Sequence, residues 1–255
     1  MIRNLSKEMH QLAETALSGK WGRELSDMRI SIDDIPGIDE MHNEMKAALG
    51  LRRVAEQVPL RILPGERIVG LATMRLGAQH RIPIWFKDRA PFGSISHTTA
   101  GFATALEKGY AGIRKEVEKS LVRRDEDDAY GRSFLNAVSL CLEAAGIWHA
   151  RHIAELDRLI AAEPEGEIRS NYVKVRAALI NVPEDPPRNF YKALMSLWFM
   201  FSFQRLCGNW PGIGRIDQML GGFLEKDLAD GTITIGEERE LVAHFSQGGT
   251  KWKSR

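Results

Sequence analysis

The stretch NVPEDPPRNFYKALMSLWFMFSFQRL, residues 181–206, decides the architecture. Proline has no backbone N–H and biases the residue before it away from helix, so Pro183, Pro186 and Pro187 reset the chain. From Phe190 to Leu206 apolar side chains then recur around most of a helix's circumference. A helix of that kind must be buried, so other elements have to pack around it. Its uninterrupted apolar part, near Leu194–Phe203, contains Ser196 and Ser202. It is far shorter than the roughly 20 residues a membrane span needs.

Outward from this helix, the pattern is mostly helical. Residues 100–124 place Phe102, Leu106, Ile113, Val117 and Leu121 near one face. Gly109 and Gly112 weaken that helix by about 1 kcal/mol each relative to alanine, which predicts close packing or a local break. Helices are expected over about 126–162 and 168–180, ended by proline or glycine. The acidic run DEDD at 125–128 suits a helix N-terminus. The first 60 residues read as mainly helical, with a break at SIDDIPGID after which Asp34 or Asp39 caps a helix through Leu51. ERIVGLATMRLG, residues 66–77, has strand character after the Pro64-Gly65 turn signal. HRIPIWFKDRAPFGSISHTT, residues 80–99, has neither period. It predicts an ordered loop, because Ile84, Trp85, Phe86 and Phe92 are costly to leave in water.

The 255 residues carry 35 basic and 34 acidic side chains, a formal charge of +1. Basic residues occur in short pairs such as Arg52-Arg53 and Arg123-Arg124, which fit solvated helix faces and argue against nucleic acid as a partner. The N-terminus MIRNLSKEMHQLAE lacks the apolar region of a signal peptide, and a cytoplasmic protein without a membrane span is expected. Cys141 and Cys207 fall in predicted helices and read as buried thiols in a reducing compartment rather than as a disulfide framework or a catalytic pair.

Three constellations carry chemistry. His149, His152 and Glu155 lie at helical spacing, yet without HExxH or a second Glu-x-x-His, and no metal site is assigned to them. The glycines of GNWPGIGR lack the Gly-Lys-Ser/Thr of a phosphate loop and suit tight turns. In Arg215-Ile216-Asp217-Gln218, Asp217 can cap the following helix while Arg215 pairs with a neighbouring carboxylate; alternatively both line a polar cavity. His97 is equally double: it can satisfy loop carbonyls ahead of a Thr98-Thr99 cap, or point into a substrate pocket.

Four blocks, taken together, carry a resemblance: PGERIVG at 64–70, SHTTAGFATALEKGYAGIRKEVEKSL at 96–121, NVPEDPPRNFYKALMSLWFMF at 181–201 and GRIDQMLGGFLEKDLADGTIT at 214–234. In this order they resemble the N-terminal portion of the glycyl radical enzymes, the pyruvate formate-lyase-like family. The resemblance implies a mainly α chain with a few strands: an N-terminal helical part and an incomplete first half of a ten-stranded β/α barrel. It implies a pyruvate formate-lyase-like region over 1–245 and a divergent, disordered tail over 246–255. Family chemistry uses a glycyl radical, installed by an iron-sulfur activase with S-adenosylmethionine, and a thiyl radical on a loop cysteine. Neither the Gly-Cys-x-Glu nor the Arg-Val-x-Gly-Tyr type of motif occurs in these residues, so no catalytic residue is assigned. His97, Arg215 and Asp217 become substrate-pocket candidates. Implied partners are a second chain carrying the C-terminal half, the activase and a homo-oligomer. The expected function is radical cleavage of a C–C, C–O or C–N bond in a small metabolite, inactive in this chain alone; the alternative is a non-catalytic helical interaction protein or truncated relic.

Overall fold

A computed structural model describes residues 6–7, 10–11, 14, 28–70, 84–92, 98–207 and 211–249. Its α-helices are α1 (Asn43–Gln57), α2 (Phe102–Arg123), α3 (Ala129–Ala162), α4 (Glu167–Leu179), α5 (Phe190–Leu206), α6 (Ile216–Ala229) and α7 (Ile235–Gly249). The expected fold class holds: the described residues are mainly helical with a small sheet.

Helix α5 is the axis. Asn189 caps it by accepting from the Lys192 amide at 2.9 Å. The Phe190 amide, which has no partner inside the helix, donates to the buried carboxylate of Asp227 on α6 at 2.7 Å. Ala193, Met195, Leu197 and Trp198 are fully inaccessible. Aromatic contacts tie α5 to its neighbours: Phe201 meets Phe102 of α2 at 6.4 Å, Phe203 meets Trp148 of α3 at 5.5 Å, and Trp198 meets Phe245 of α7 at 5.2 Å. Each such ring, fully buried, contributes roughly 1.5–3 kcal/mol, which is why this helix organises the core.

Asp128, the last residue of the acidic run, caps α3 through the Gly131 amide at 2.8 Å. Helix α1 packs along α3, and Arg151 of α3 reaches the C-terminal carbonyl of Val58 at 2.8 Å. The cap expected from Asp34 or Asp39 is not made: the α1 N-cap is His42, without a side-chain cap bond. Asp34 instead takes the Arg53 guanidinium, with Nη2 at 3.0 Å from Oδ2. Helix α2 begins at Gly101 rather than at a threonine cap, and breaks at Gly109 (φ 64°, ψ 171°), as its glycines predicted. Thr234 and Glu237 form a reciprocal capping box on α7.

The aromatic segment expected as a loop carries a hairpin. Strands β1 (Ile30–Ser31), β2 (Ile84–Phe86) and β3 (Arg89–Phe92) lie in that order, β1 parallel to β2 and β2 antiparallel to β3. Lys87 and Asp88 make the turn with positive φ, held by Asp33 accepting from the Lys87 amide at 2.8 Å and by Arg29 on Asp88 at 3.1 Å. Neither residue is the usual Asn-Gly signal, so the turn was hidden from sequence reading. The sheet rests on α1 at Gly50, where a Cβ would meet the Ile84 side chain at 2.4 Å.

Residues 66–70 are not a strand. They form an irregular buried segment in which Asn171 donates to the Glu66 carbonyl (2.9 Å) and Tyr191 to the Arg67 carbonyl (2.6 Å). Side chains of α4 and α5 thus replace a neighbouring strand; residues 71–77 lie outside the described residues. Helix α7 runs through Gly249 and is anchored by buried Leu241 and Phe245. Residues 250–255 lie outside the described residues. Among the described residues no helix is long and apolar enough to cross a membrane.

Candidate functional site

The candidate site forms where the chain enters α2 and α6. Thr99 and Gly212 make an isolated parallel bridge, and the Gly212 amide donates to the Thr98 carbonyl at 3.2 Å. Gly214 follows at φ +83°, a conformation that glycine adopts without penalty, and its missing Cβ would sit 2.9 Å from the Thr99 methyl. Thus the end of the irregular aromatic segment and the glycine-rich approach to α6 are brought together. His97 itself lies outside the described residues.

Arg215 is the N-cap residue of α6 and Asp217 stands in its first turn. The guanidinium grips the carboxylate with Nε at 2.9 Å and Nη2 at 2.6 Å. The carboxylate that Arg215 pairs with is therefore Asp217. Both side chains are about two-thirds exposed, at 67 % and 65 %. The hydrogen bonds from Arg215 hold the Asp217 carboxyl down at about 2, and Arg215 is raised in turn. The pair stays ionised across physiological pH and follows closely on the Gly212 side of the bridge in the chain.

The other constellations have structural occupations. His149 is 3.0 Å from the Leu179 carbonyl, and His152 Nδ1 is 2.8 Å from the Trp148 carbonyl. A carbonyl can only accept, so Nδ1 of His152 carries the hydrogen. Burial, offset in part by that bond, pushes His152 down to about 3. Glu155 pairs with Arg158 at 2.6 Å. Among the described residues no group of three or more His, Cys, Asp or Glu is placed to hold a metal ion. Burial raises the Cys141 thiol to about 11 and the Cys207 thiol well above its ordinary value. Both are protonated at neutral pH, Cys207 within the core.

Sequence reasoning missed Thr99, Gly212 and Gly214 as a unit. Their signal was weak: a threonine pair readable as a cap and glycines readable as turns.

The family model described as "Pyruvate formate lyase-like" matches residues 85–247, well over half of the chain. An isethionate sulfite-lyase from Oleidesulfovibrio alaskensis is 32 % identical over 163 residues, covering 61 % of this chain and 20 % of that protein. The chain thus spans about a fifth of the length of the curated relatives it matches. A solved structure concerned with 1,2-propanediol dehydration in Roseburia inulinivorans superposes with a TM-score of 0.74 at 19 % identity, over 96 % of this chain and 39 % of that one. A glycyl radical enzyme from Archaeoglobus fulgidus gives a TM-score of 0.67 at 19 % identity, over 96 % and 38 %. With a family match over residues 85–247 and a shared fold over nearly all its length, this chain belongs to the pyruvate formate lyase-like family of glycyl radical enzymes.

Proposed function

We propose that this chain forms part of the substrate-chamber wall of a glycyl radical enzyme that cleaves a C–C, C–O or C–N bond in a small polar metabolite, in the cytoplasm of an anaerobic cell. The observation that supports the reading is the Thr99–Gly212 bridge, which lies within the family match and joins the segment that follows His97 to the segment that precedes Arg215 and Asp217 in the chain. The sulfite-lyase and propanediol dehydration named among the relatives share removal of a polar leaving group, which favours a substrate with such a group.

The glycyl radical and the thiyl-forming cysteine, which supply the hydrogen-abstraction chemistry, come from polypeptide outside these 255 residues, as a continuation or a second chain. An activase using S-adenosylmethionine and an iron-sulfur cluster installs the radical, and the assembled enzyme pairs with further copies of itself. Cys141 and Cys207 are not assigned that role, because Cys141 lies within α3 and Cys207 closes α5 in the core, and neither stands on a loop. Arg215 offers a planar fork of donors suited to a substrate oxygen, with Asp217 fixing the fork's orientation. By the family resemblance His97 is a further pocket candidate, offering a hydrogen-bonding imidazole to the substrate.

Anoxic co-expression with a family polypeptide carrying the cysteine and glycine motifs, together with an activase, tests this. A stable complex that develops a glycyl radical signal in electron paramagnetic resonance supports the reading. A chain that stays apart from such a polypeptide overturns it.

A further inference from the structure

We propose that residues 181–187 act as a splint that divides α2 into two helices, making Gly109 and Glu184 positioning residues for the Thr99–Gly212 bridge. The inference deepens the functional reading and rests on it for the importance of that bridge.

At Gly109 the backbone is left-handed (φ 64°), and a Cβ there would lie 2.3 Å from the Glu184 carbonyl oxygen and 2.9 Å from the Asp185 carbonyl carbon. Those are backbone atoms that cannot swing aside, so only glycine admits the loop. The break leaves the next amides without acceptors inside α2. Tyr110 donates to the Pro183 carbonyl at 2.9 Å and Ala111 to the Glu184 carbonyl at 3.0 Å. One turn further along α2, Arg114 forks onto the Glu184 carboxylate at 2.5 and 3.3 Å.

The splint is itself fixed. Val182 is buried at 1 % exposure, the Asp185 amide closes onto the Asn181 carbonyl at 2.7 Å, and α5 starts immediately afterwards under its Asn189 cap. The core helix therefore dictates where α2 bends. The upstream half of α2 carries Phe102 and Leu106 into the core and leads back directly to Thr99. From Gly109 to Phe102 it is a lever of roughly 10 Å, at about 1.5 Å per residue. A tilt of roughly 20° at the break moves the far end by about 3 Å, more than a hydrogen bond at the bridge tolerates.

Amide exchange on the full 255-residue chain tests this without any activity measurement, so failure here is distinguishable from failure of the proposed function. In Glu184→Ala, protection of the Gly212 amide is expected to fall roughly threefold, and in Gly109→Ala roughly tenfold, with loss of the magnetisation transfer between the Thr99 methyl and Gly214. Protection of Trp148 and Leu197 stays unchanged in Glu184→Ala. Should Gly109→Ala not fold, Glu184→Ala decides. Unchanged Gly212 protection in Glu184→Ala, or a fall shared equally by Trp148 and Leu197, overturns the proposal.

Discussion

Asp217 keeps its charge down to about pH 2 because Arg215 donates two hydrogen bonds to it. A depressed carboxylate contributes stability above its unfolded value and loses it as pH falls through the folded one, but this pair is exposed and its contribution to folding is small. The informative measurement is the titration itself: in Arg215→Gln the Asp217 midpoint is expected to rise towards its ordinary 3.8, and a midpoint that stays put rules out the pairing. His152 carries the opposite weight. It is fully buried and neutral, depressed from 6.5 to about 3, so the unfolded chain binds a proton that the folded chain refuses between those values. Stability then falls with acid below the unfolded value, by about 2 kcal/mol from this residue at about pH 5. Burial also depresses His244 to about 3, and it adds in the same direction. Urea unfolding at neutral and mildly acidic pH should show a shallower acid loss in His152→Phe than in the parent; equal slopes would rule out His152 as a source. WHARHIAE was visible as a histidine cluster, yet its occupations were not, because the carbonyls that engage it depend on the packing of α4 and the shape of the α3 face.

At the scale of elements, α5 was legible almost to the residue, because an all-round apolar pattern between a proline-rich reset and a polar end admits one reading. Trp198→Ala removes a ring with no exposed surface and is expected to cost roughly 3–5 kcal/mol in chemical denaturation. A loss below about 1 kcal/mol would show that the site collapses or that the ring is not in the core. Asp227→Ala leaves the buried Phe190 amide without an acceptor and should cost about 1–3 kcal/mol, with Asp227→Asn recovering much of it. Equal losses in both variants would place the effect elsewhere. The hairpin at 84–92 and the irregular segment at 66–70 were misread for one reason. Strand identity depends on the availability of a neighbouring strand, and local composition does not report it.

For the whole molecule, helices α3 and α5 are locked together in the core by the rings of Trp148, Phe199 and Phe203, while the Thr99–Gly212 bridge is an isolated pair. Native-state exchange should therefore show α3 and α5 amides opening only with global unfolding and the Gly212 amide opening at lower free energy. Uniform protection across all three would contradict this division. Periodicity, the acidic run that ends at the Asp128 cap, and the four ordered blocks were written in the sequence by itself, because they rest on short-range spacing and side-chain chemistry. They determined a mainly helical chain with a buried α5 and pointed to its family. Tertiary structure alone decided that Asp227 closes the start of α5, that the Glu184 carbonyl fills the break at Gly109, and that Thr99 meets Gly212. Those contacts join residues far apart in the chain. A helical pattern specifies which face is buried but not what covers it, so their geometry emerges only when the core packs.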